Sequence, residues 1–248
     1  MTKHREDGED APVAFTSPPR FAHENDPNNG EMPAGGEEQR FVDVMRWRKT
    51  ERQRLISERM AIDADMRHSH AGRIATGLDE TVGDVSGQTV SVYWPLRGEP
   101  DLRPWMESIT ARGGVCALPV VVVRNAPLIF RAWTPGARME RGFWNIPVPA
   151  DGAEVMPTIV IAPVVGFDPD CYRLGYGGGY FDRTLAATPG ITRVIGVGYA
   201  RAAIPTIHPR PHDIPMNIVV TEEGAVQRVS AASLTCPPVR PLERHDDR

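Results

Sequence analysis

The chain has 248 residues and a formal net charge of −4 at pH 7, with 32 acidic residues against 28 lysines and arginines. This length is sufficient to bury the core of one sizeable domain, and the mildly acidic balance disfavours binding to nucleic acid or to a membrane through a general basic field. The three cysteines (Cys116, Cys171 and Cys236) are widely spaced, which argues against both a disulfide framework and a zinc site.

The chain shows no targeting pattern. Its N-terminus lacks the basic and apolar layout of a secretory signal, and its apolar runs are too short to span a bilayer. The sequence therefore predicts a soluble, cytoplasmic protein, with a monomer and a homodimer both open.

Both ends of the chain have the composition of disordered segments. Residues 1–40 carry nine acidic residues against four basic ones, and hardly any periodic apolar residues. Such a segment buries too little apolar surface to offset the entropy of ordering, so a solvated acidic extension is predicted, with a partner-binding tail as the alternative. Residues 236–248 are predicted to be a disordered tail, and residues 41–235 the folded catalytic domain.

Helices and strands are predicted to alternate through the folded part. An arginine-rich amphipathic helix is predicted over residues 42–64 and a second helix over residues 67–78. Further helices are predicted over residues 102–111 and 180–187, and strands over residues 89–94, 115–123, 128–133, 157–165 and 194–199.

Several of the predicted strands are runs of valine and isoleucine without polar alternation, which indicates burial on both faces. The fold class is therefore α/β: a single domain with a mixed or parallel sheet flanked by helices. In open sheets of this class, ligands bind beyond the carboxyl ends of the strands.

The most informative segment runs from Tyr172 to Arg183 and contains four glycines just before a predicted helix. Glycine lets the backbone turn its N–H groups onto an anion, and the start of a helix favours the same charge. The spacing matches neither a P-loop nor a dinucleotide-binding fingerprint. A tight turn is the alternative, but the flanking Arg173, Asp182 and Arg183 favour an anion site, with Asp182 placed to hold a divalent cation.

Three other segments carry residues with suitable chemistry. Residues 93–99 are strand-like and end in a turn that bears Glu99, and residues 143–149 form a proline-stiffened stretch whose aromatic side chains could stack on a flat ring. Residues 208–215 include Asp213, which could complete a metal site with Asp182. Ordinary packing roles for Trp94 and Trp144, and a turn role for Glu99, stay open at this point.

In order, these segments read Y-W-P-L-x-G-E, G-F-D-x-x-x-Y-R-L-G-Y-G-G-G-Y-F-D-R, P-H-D-I-P and V-V-T-E. Over about residues 48–222 this pattern resembles the 5-formyltetrahydrofolate cyclo-ligase family, also called methenyltetrahydrofolate synthetases. The resemblance implies a fold like that of ribose-phosphate isomerase and CoA-transferase relatives. It also implies closure of 5-formyltetrahydrofolate to 5,10-methenyltetrahydrofolate, with ATP and Mg²⁺ required and ADP and phosphate released.

The resemblance further implies a role for each matched position. Phosphoryl transfer would depend on Arg173 and Tyr180, and Asp182 and Asp213 would bind the metal. The reduced folate would contact Trp94, Glu99, Trp144, Tyr176, Gly177, Gly178, Gly179 and Tyr180. ATP would contact Arg48, Arg52, Arg173, Leu174, Gly175, Tyr176, Gly177, Gly178, Gly179, Tyr180 and Phe181.

Two other functions are compatible with the same residues. One is a non-catalytic relative that binds folate or nucleotide and uses the acidic extension as a contact. The other is a small ATP-dependent ligase or kinase that acts on a different heterocycle.

Overall fold

The structure is a computed structural model, and it describes residues 35–228 of the chain. The chain divides into two units, residues 1–40 and residues 41–248. Most of the predicted acidic extension and all of the predicted C-terminal tail lie outside the described residues, and both stay predictions.

Four α-helices are present within residues 35–228. They are α1 (Gly35–Met60), α2 (Ala64–Val82), α3 (Arg103–Ala111) and α4 (Tyr180–Ala187). The helix predicted over residues 42–64 begins earlier, at Gly35, so residues 35–40 of the predicted extension are helical. It also ends earlier, at Met60, because Asp63 caps the start of α2: its side chain accepts a hydrogen bond of 2.8 Å from the N–H of Met66.

The described residues also form eleven strands, most of them short. In chain order they are β1 (Thr89–Ser91), β2 (Val115–Val120), β3 (Ile129–Trp133), β4 (Met139–Arg141), β5 (Pro147–Pro149), β6 (Ile159–Pro163), β7 (Gly166–Phe167), β8 (Arg173–Leu174), β9 (Arg193–Val197), β10 (Ile218–Thr221) and β11 (Gly224–Gln227). Two single-turn 3₁₀ helices cover Phe143–Asn145 and Ala200–Ala202.

Seven of these strands form one sheet in the order β11-β10-β9-β6-β1-β2-β3. The five central strands are parallel, whereas β11 and β3 pair antiparallel at the two edges. This mixed sheet confirms the predicted α/β class. The pairs β4–β5 and β7–β8 are separate two-stranded ribbons, and the sequence pattern did not predict them because each strand has only two or three residues.

The central strands are buried on both faces, as their composition predicts. In β6, Ile159 and Ile161 belong to the main core, which contains side chains of α2 and α3, whereas Val160 lies on the other face with Phe130. A further core on that second face holds Leu55 of α1 together with Phe167 and Leu174. Helices or ribbons therefore cover both sides of the sheet.

Because β1, β6, β9 and β10 run parallel, the segments that follow them meet at one edge of the sheet. The hydroxyl of Tyr199, after β9, donates a hydrogen bond of 3.1 Å to the carbonyl of Gly98, after β1. Arg59 of α1 donates to the carbonyls of Arg97 (2.9 Å) and Val164 (3.4 Å), the latter after β6. This carboxyl edge holds the candidate site.

Candidate functional site

The glycine loop, residues 175–179, connects the β7–β8 ribbon to α4. Gly177 and Gly179 have φ values of +97° and +62°, which favour glycine, and Gly179 caps α4. A Cβ on Gly178 would lie 2.8 Å from the ring of Tyr180 and 3.3 Å from that of Trp144. Across the described part of the chain, no N–H group of residues 175–179 donates a hydrogen bond to a protein acceptor. Five consecutive free donors are typical of an anion-binding loop.

Two arginines border this loop without a carboxylate partner among the described residues. Arg52 donates 2.6 Å from Nε to the carbonyl of Gly175, and its guanidinium lies beside Gly177. Arg183 donates to the carbonyl of Gly178 and stacks 5.1 Å above the ring of Tyr180. Its Nε is buried and has no partner in the described part of the chain. Unpaired guanidinium groups beside free N–H groups favour a phosphate ligand.

Arg173 and Asp182 form a buried ion pair under the loop. Nη2 of Arg173 lies 2.6 Å from Oδ1 of Asp182, and Nη1 donates 2.9 Å to the carbonyl of Ile214. The N–H of Ile214 donates 3.0 Å back to the same Oδ1. Burial lowers the pKa of Arg173, and the neighbouring Asp182 opposes that shift. The pair therefore joins the start of α4 to the segment that carries Asp213.

Arg48 and Asp213 form a second pair. Arg48 donates 2.9 Å from Nε to the carbonyl of Ile207 and 2.9 Å from Nη2 to that of His208, and Nη2 lies 2.5 Å from Oδ2 of Asp213. Burial alone would raise the pKa of Asp213, but the hydrogen bond from Arg48 and the N–H of Arg210 bring it below its usual value. Arg48 thus holds the 207–213 segment against α1.

The two acids predicted to bind a metal leave part of their oxygens available. Within residues 35–228, neither Oδ2 of Asp182 nor Oδ1 of Asp213 accepts a hydrogen bond. Among the described residues, no group of three or more His, Cys, Asp or Glu side chains is placed so that it could hold a metal ion. One or two carboxylates plus substrate phosphates are a normal Mg²⁺ environment, so the donor chemistry fits that ion.

Glu99 and Arg59 are buried, and the hydroxyl of Tyr176, a residue that is 36% exposed, lies between them. Oε2 of Glu99 accepts a hydrogen bond of 2.8 Å from the N–H of Leu96, and its Oε1 accepts one of 2.8 Å from the hydroxyl of Tyr176. That hydroxyl accepts 2.6 Å from Nη2 of Arg59, which is 4.0 Å from the carboxylate. Burial raises the pKa of Glu99 from 4.5 to about 6, and the charge of Arg59 limits the rise.

The two candidate tryptophans have different surroundings. Trp144 is 42% exposed at the tip of the β4–β5 ribbon, and its ring lies 5.4 Å from that of Tyr180, edge to face. Trp94 is half-buried against the main core, 6.4 Å from the ring of Trp133 and under the guanidinium of Arg103. The structure thus brings Trp144, but not Trp94, against the glycine loop.

Leu174 and Phe181 direct their side chains away from the loop surface. Leu174 is buried in the second-face core, and Phe181 packs against the cluster of Ala117, Phe130 and Val160. A ligand in the loop would therefore reach these two positions through their backbone.

Two residues of this edge were not assigned a role from the sequence. Arg183 was noted beside the glycines only as a flanking charge, and Arg59 only as part of the basic helix face. A pattern that could have identified Arg59 is its spacing: Arg48, Arg52 and Arg59 are four and seven residues apart, which places all three on one face of α1.

An open α/β sheet with a run of free N–H groups and a buried carboxylate at its carboxyl edge is typical of an enzyme that acts on small molecules. The model of the 5-formyltetrahydrofolate cyclo-ligase family matches residues 44–222. The chain therefore belongs to this family, which confirms the resemblance found in its motifs.

Curated relatives support the same assignment. A 5-formyltetrahydrofolate cyclo-ligase of Mycolicibacterium smegmatis is 28% identical over 182 residues, covering 69% of this chain and 92% of the relative. The Escherichia coli K12 protein of the same name is 29% identical over 174 residues, covering 67% and 96%.

Solved structures support the fold. The 5,10-methenyltetrahydrofolate synthetase of Aquifex aeolicus superposes with a TM-score of 0.64 at 23% identity, covering 80% of this chain and 99% of that one. The synthetase of Mycoplasma pneumoniae gives 0.59 at 19% identity, covering 71% and 98%. No helix in residues 35–228 is long and apolar enough to cross a membrane.

Proposed function

We propose that this chain catalyses the ATP-dependent cyclisation of 5-formyltetrahydrofolate to 5,10-methenyltetrahydrofolate, with release of ADP and phosphate. Family membership over residues 44–222 supports the reaction class. The observation that carries the proposal on the structural side is the run of free N–H groups at residues 175–179, next to the unpaired Arg52 and Arg183 and joined through Tyr176 to Glu99.

The nucleotide side of the site is the glycine loop. The loop N–H groups, with Arg52 and Arg183, would bind the phosphates, and Arg173 would stabilise the charge that spreads over the phosphoryl oxygens during transfer. Asp182 fixes the orientation of Arg173, and Tyr180 at the start of α4 lies beside both Arg183 and Trp144. Arg48 would act on this side by holding the 207–213 segment.

Mg²⁺ would be held by Asp182, with Asp213 as the second carboxylate. Both acids have an oxygen that accepts no hydrogen bond from the described residues. The ion would supply positive charge to the phosphate oxygens when bound.

The folate side of the site is Glu99 with Trp144. Glu99 uses only two of its roughly four lone-pair positions on the protein, so it would accept a hydrogen bond from an N–H of the pterin. The exposed ring of Trp144 would pack on the flat part of the substrate. Trp94, which packs on the core, would contribute by shaping the wall behind Glu99.

The cyclisation needs no side-chain nucleophile. A formyl oxygen is a poor leaving group, and ATP supplies the phosphoryl group that makes it a good one. The second folate nitrogen then attacks the same carbon and phosphate leaves. The protein residues have to orient the two reactants and stabilise the charge, which matches a site of arginines, N–H groups and carboxylates.

We also infer a cytoplasmic enzyme that works without nucleic acid, as a monomer or a homodimer, with its catalytic domain within residues 41–235. The mildly acidic charge supports the part of this inference that concerns nucleic acid.

The test is a spectrophotometric assay of the purified full chain with 5-formyltetrahydrofolate, ATP and Mg²⁺. We expect methenyl-folate and ADP to form in equal amounts, and a chelator to stop the reaction. Absence of ATP-dependent product across the pH range in which the protein stays folded would overturn the proposal. Calorimetry with 5-formyltetrahydrofolate alone then distinguishes a binding protein from an enzyme of another substrate.

A further inference from the structure

We propose that Arg59 is a positioning residue that holds the hydroxyl of Tyr176, in the glycine loop, in hydrogen-bond contact with Glu99. This contact fixes the position of the nucleotide loop relative to the folate-binding carboxylate. This inference rests on the proposed function for its kinetic readout. It adds to that function a residue which touches neither reactant and acts through two that do.

The first support is that Arg59 is buried and held on three sides. It is 5% exposed, and it donates to the carbonyls of Arg97 and Val164 and to the hydroxyl of Tyr176. These partners follow three different strands, β1, β6 and β8. Because these hydrogen bonds fix the guanidinium group in place, they also fix the direction in which it donates to the Tyr176 hydroxyl.

The second support is the direction of the hydrogen bonds. Arg59 donates to the oxygen of Tyr176, so the phenolic proton of Tyr176 is directed to Glu99. Both oxygens of Glu99 therefore accept hydrogen bonds, from Tyr176 and from the N–H of Leu96, an arrangement that the ionised carboxylate satisfies best. Tyr176 is also the loop residue between Gly175 and Gly177, so a loop position is linked directly to Glu99.

The third support is the set of charges that face Glu99. Arg59 approaches it from α1 and Tyr176 from the loop, while Tyr93 after β1 and Tyr199 after β9 add phenol groups. Arg59 supplies the positive charge in this set. It offsets part of the cost of burying the carboxylate, which raises the pKa of Glu99 to about 6 even with Arg59 present.

Lysine could not replace Arg59 at this place. A lysine has a single nitrogen, whereas Arg59 reaches Arg97, Val164 and Tyr176 with three different ones. A lysine would keep the charge but lose the fixed direction of the Tyr176 hydroxyl.

The test compares Arg59→Met with the wild-type full chain and with Arg54→Met as the matched control. Arg54 lies on the same helix but is half exposed, where it pairs with Glu51 and Glu58. Without the charge of Arg59, the pKa of Glu99 should rise further above its wild-type value of about 6, and the hydroxyl of Tyr176 should lose its fixed direction. We therefore expect the KM for 5-formyltetrahydrofolate to rise about tenfold at about pH 7, and to recover part of that loss at about pH 8.5, where more of Glu99 is ionised.

A role limited to folding would give a loss that does not recover with pH. Unchanged KM in Arg59→Met, or a loss of equal size at both pH values, would overturn the proposal. Arg54→Met should behave as wild type throughout.

Carboxyl NMR of Glu99 gives a readout that needs no substrate. The Glu99 carboxyl should titrate near pH 6 in the wild-type protein and at a clearly higher pH in Arg59→Met. If Arg59→Met does not fold, Tyr176→Phe tests the same link, because it removes the bridging hydroxyl and should also raise the titration midpoint. A midpoint that stays in place would overturn the proposal. Inactive wild-type protein with the expected titration would instead count against the proposed function alone.

Discussion

The glycine loop and the Glu99 cluster lie at the same edge of the sheet, but their charges are balanced differently. In the loop, Arg52 and Arg183 have no carboxylate partner among residues 35–228, and residues 175–179 have free N–H groups. In the cluster, Arg59, Tyr176 and Glu99 satisfy one another, with Arg59 and Glu99 buried and Tyr176 partly exposed at the loop. A site with unpaired positive charge needs an anionic ligand, whereas a site balanced internally is already organised for a neutral one. This contrast supports the proposal that the loop binds the phosphates and the cluster binds the pterin.

The largest expected effect comes from Asp182→Asn, which tests the loop side. Asn keeps the shape but removes the charge that holds Arg173 and the candidate Mg²⁺ site. We expect turnover to fall by about a hundredfold or more. We also expect the free energy of unfolding to fall by about 1–3 kcal/mol, because Arg173 would stay buried without its counter-charge. Asp151→Asn, at an exposed pair with Arg138, is the control. Normal turnover in Asp182→Asn would remove this residue from the site.

The next effect comes from Glu99→Gln, which tests the cluster. The pKa of Glu99 is raised from 4.5 to about 6, so wild type should lose folate affinity as the pH falls through about 6. Glu99→Gln should raise the KM for folate by about tenfold or more and remove that pH dependence.

The free energy of unfolding should fall as the pH rises, whereas folate affinity should increase. A raised pKa means that the contribution of Glu99 to folding is fully present below 4.5 and is lost as the pH rises through about 6. Thermal unfolding between these values checks this point, with the exposed Glu140→Gln as the control. If the stability of Glu99→Gln still falls as the pH rises from 4.5 to about 6, another group is responsible for the pH dependence.

Arg183→Met should separate the two sides of the site. Removing this unpaired guanidinium should raise the KM for ATP about tenfold, because one phosphate contact is lost, and leave the KM for folate within about twofold. Steady-state kinetics with each substrate varied in turn measures both values. Arg138→Met serves as the control, since Arg138 is exposed and pairs with Asp151. Equal effects on both substrates would mean that the two sides are not separate.

The smallest effect on activity is expected for substitutions of the two tryptophans. These variants also test which tryptophan lies on the folate side of the site. Trp144→Ala should raise the KM for folate a few-fold (about threefold) with little loss of stability, because Trp144 is exposed beside Tyr180. Trp94→Ala should mainly lower the melting temperature, because Trp94 packs against Trp133 and the core. Kinetics and thermal unfolding of both variants test this, and the reverse pattern would exchange their roles.

Much of the fold could be predicted from the sequence because its signals are local. The strongly apolar strands and the helix Tyr180–Ala187 were predicted within a few residues of their observed bounds. The β4–β5 and β7–β8 ribbons could not be predicted, since strands of two or three residues have no readable period and are stabilised by their partners.

The candidate site divides in the same way. All four glycines of the loop lie with Asp182 within twelve consecutive residues, so composition and spacing alone indicate an anion site. The sequence could not show that Arg48 pairs with Asp213, nor that Trp144 rather than Trp94 lies against the loop. A sequence does not show which of several arginines or tryptophans lies at the site, because that depends on the residues that surround each one in the fold.

The sequence by itself determined the family, the α/β class and the loop that turns on Gly177 and Gly179, because glycine content and apolar periodicity act over short stretches of chain. Only the tertiary structure decided how the charges are shared. Tyr176 meets Glu99 across 77 residues and Arg59 across 117. The ionisation of Glu99 depends on which groups are buried beside it, and that is set by the packing of distant segments.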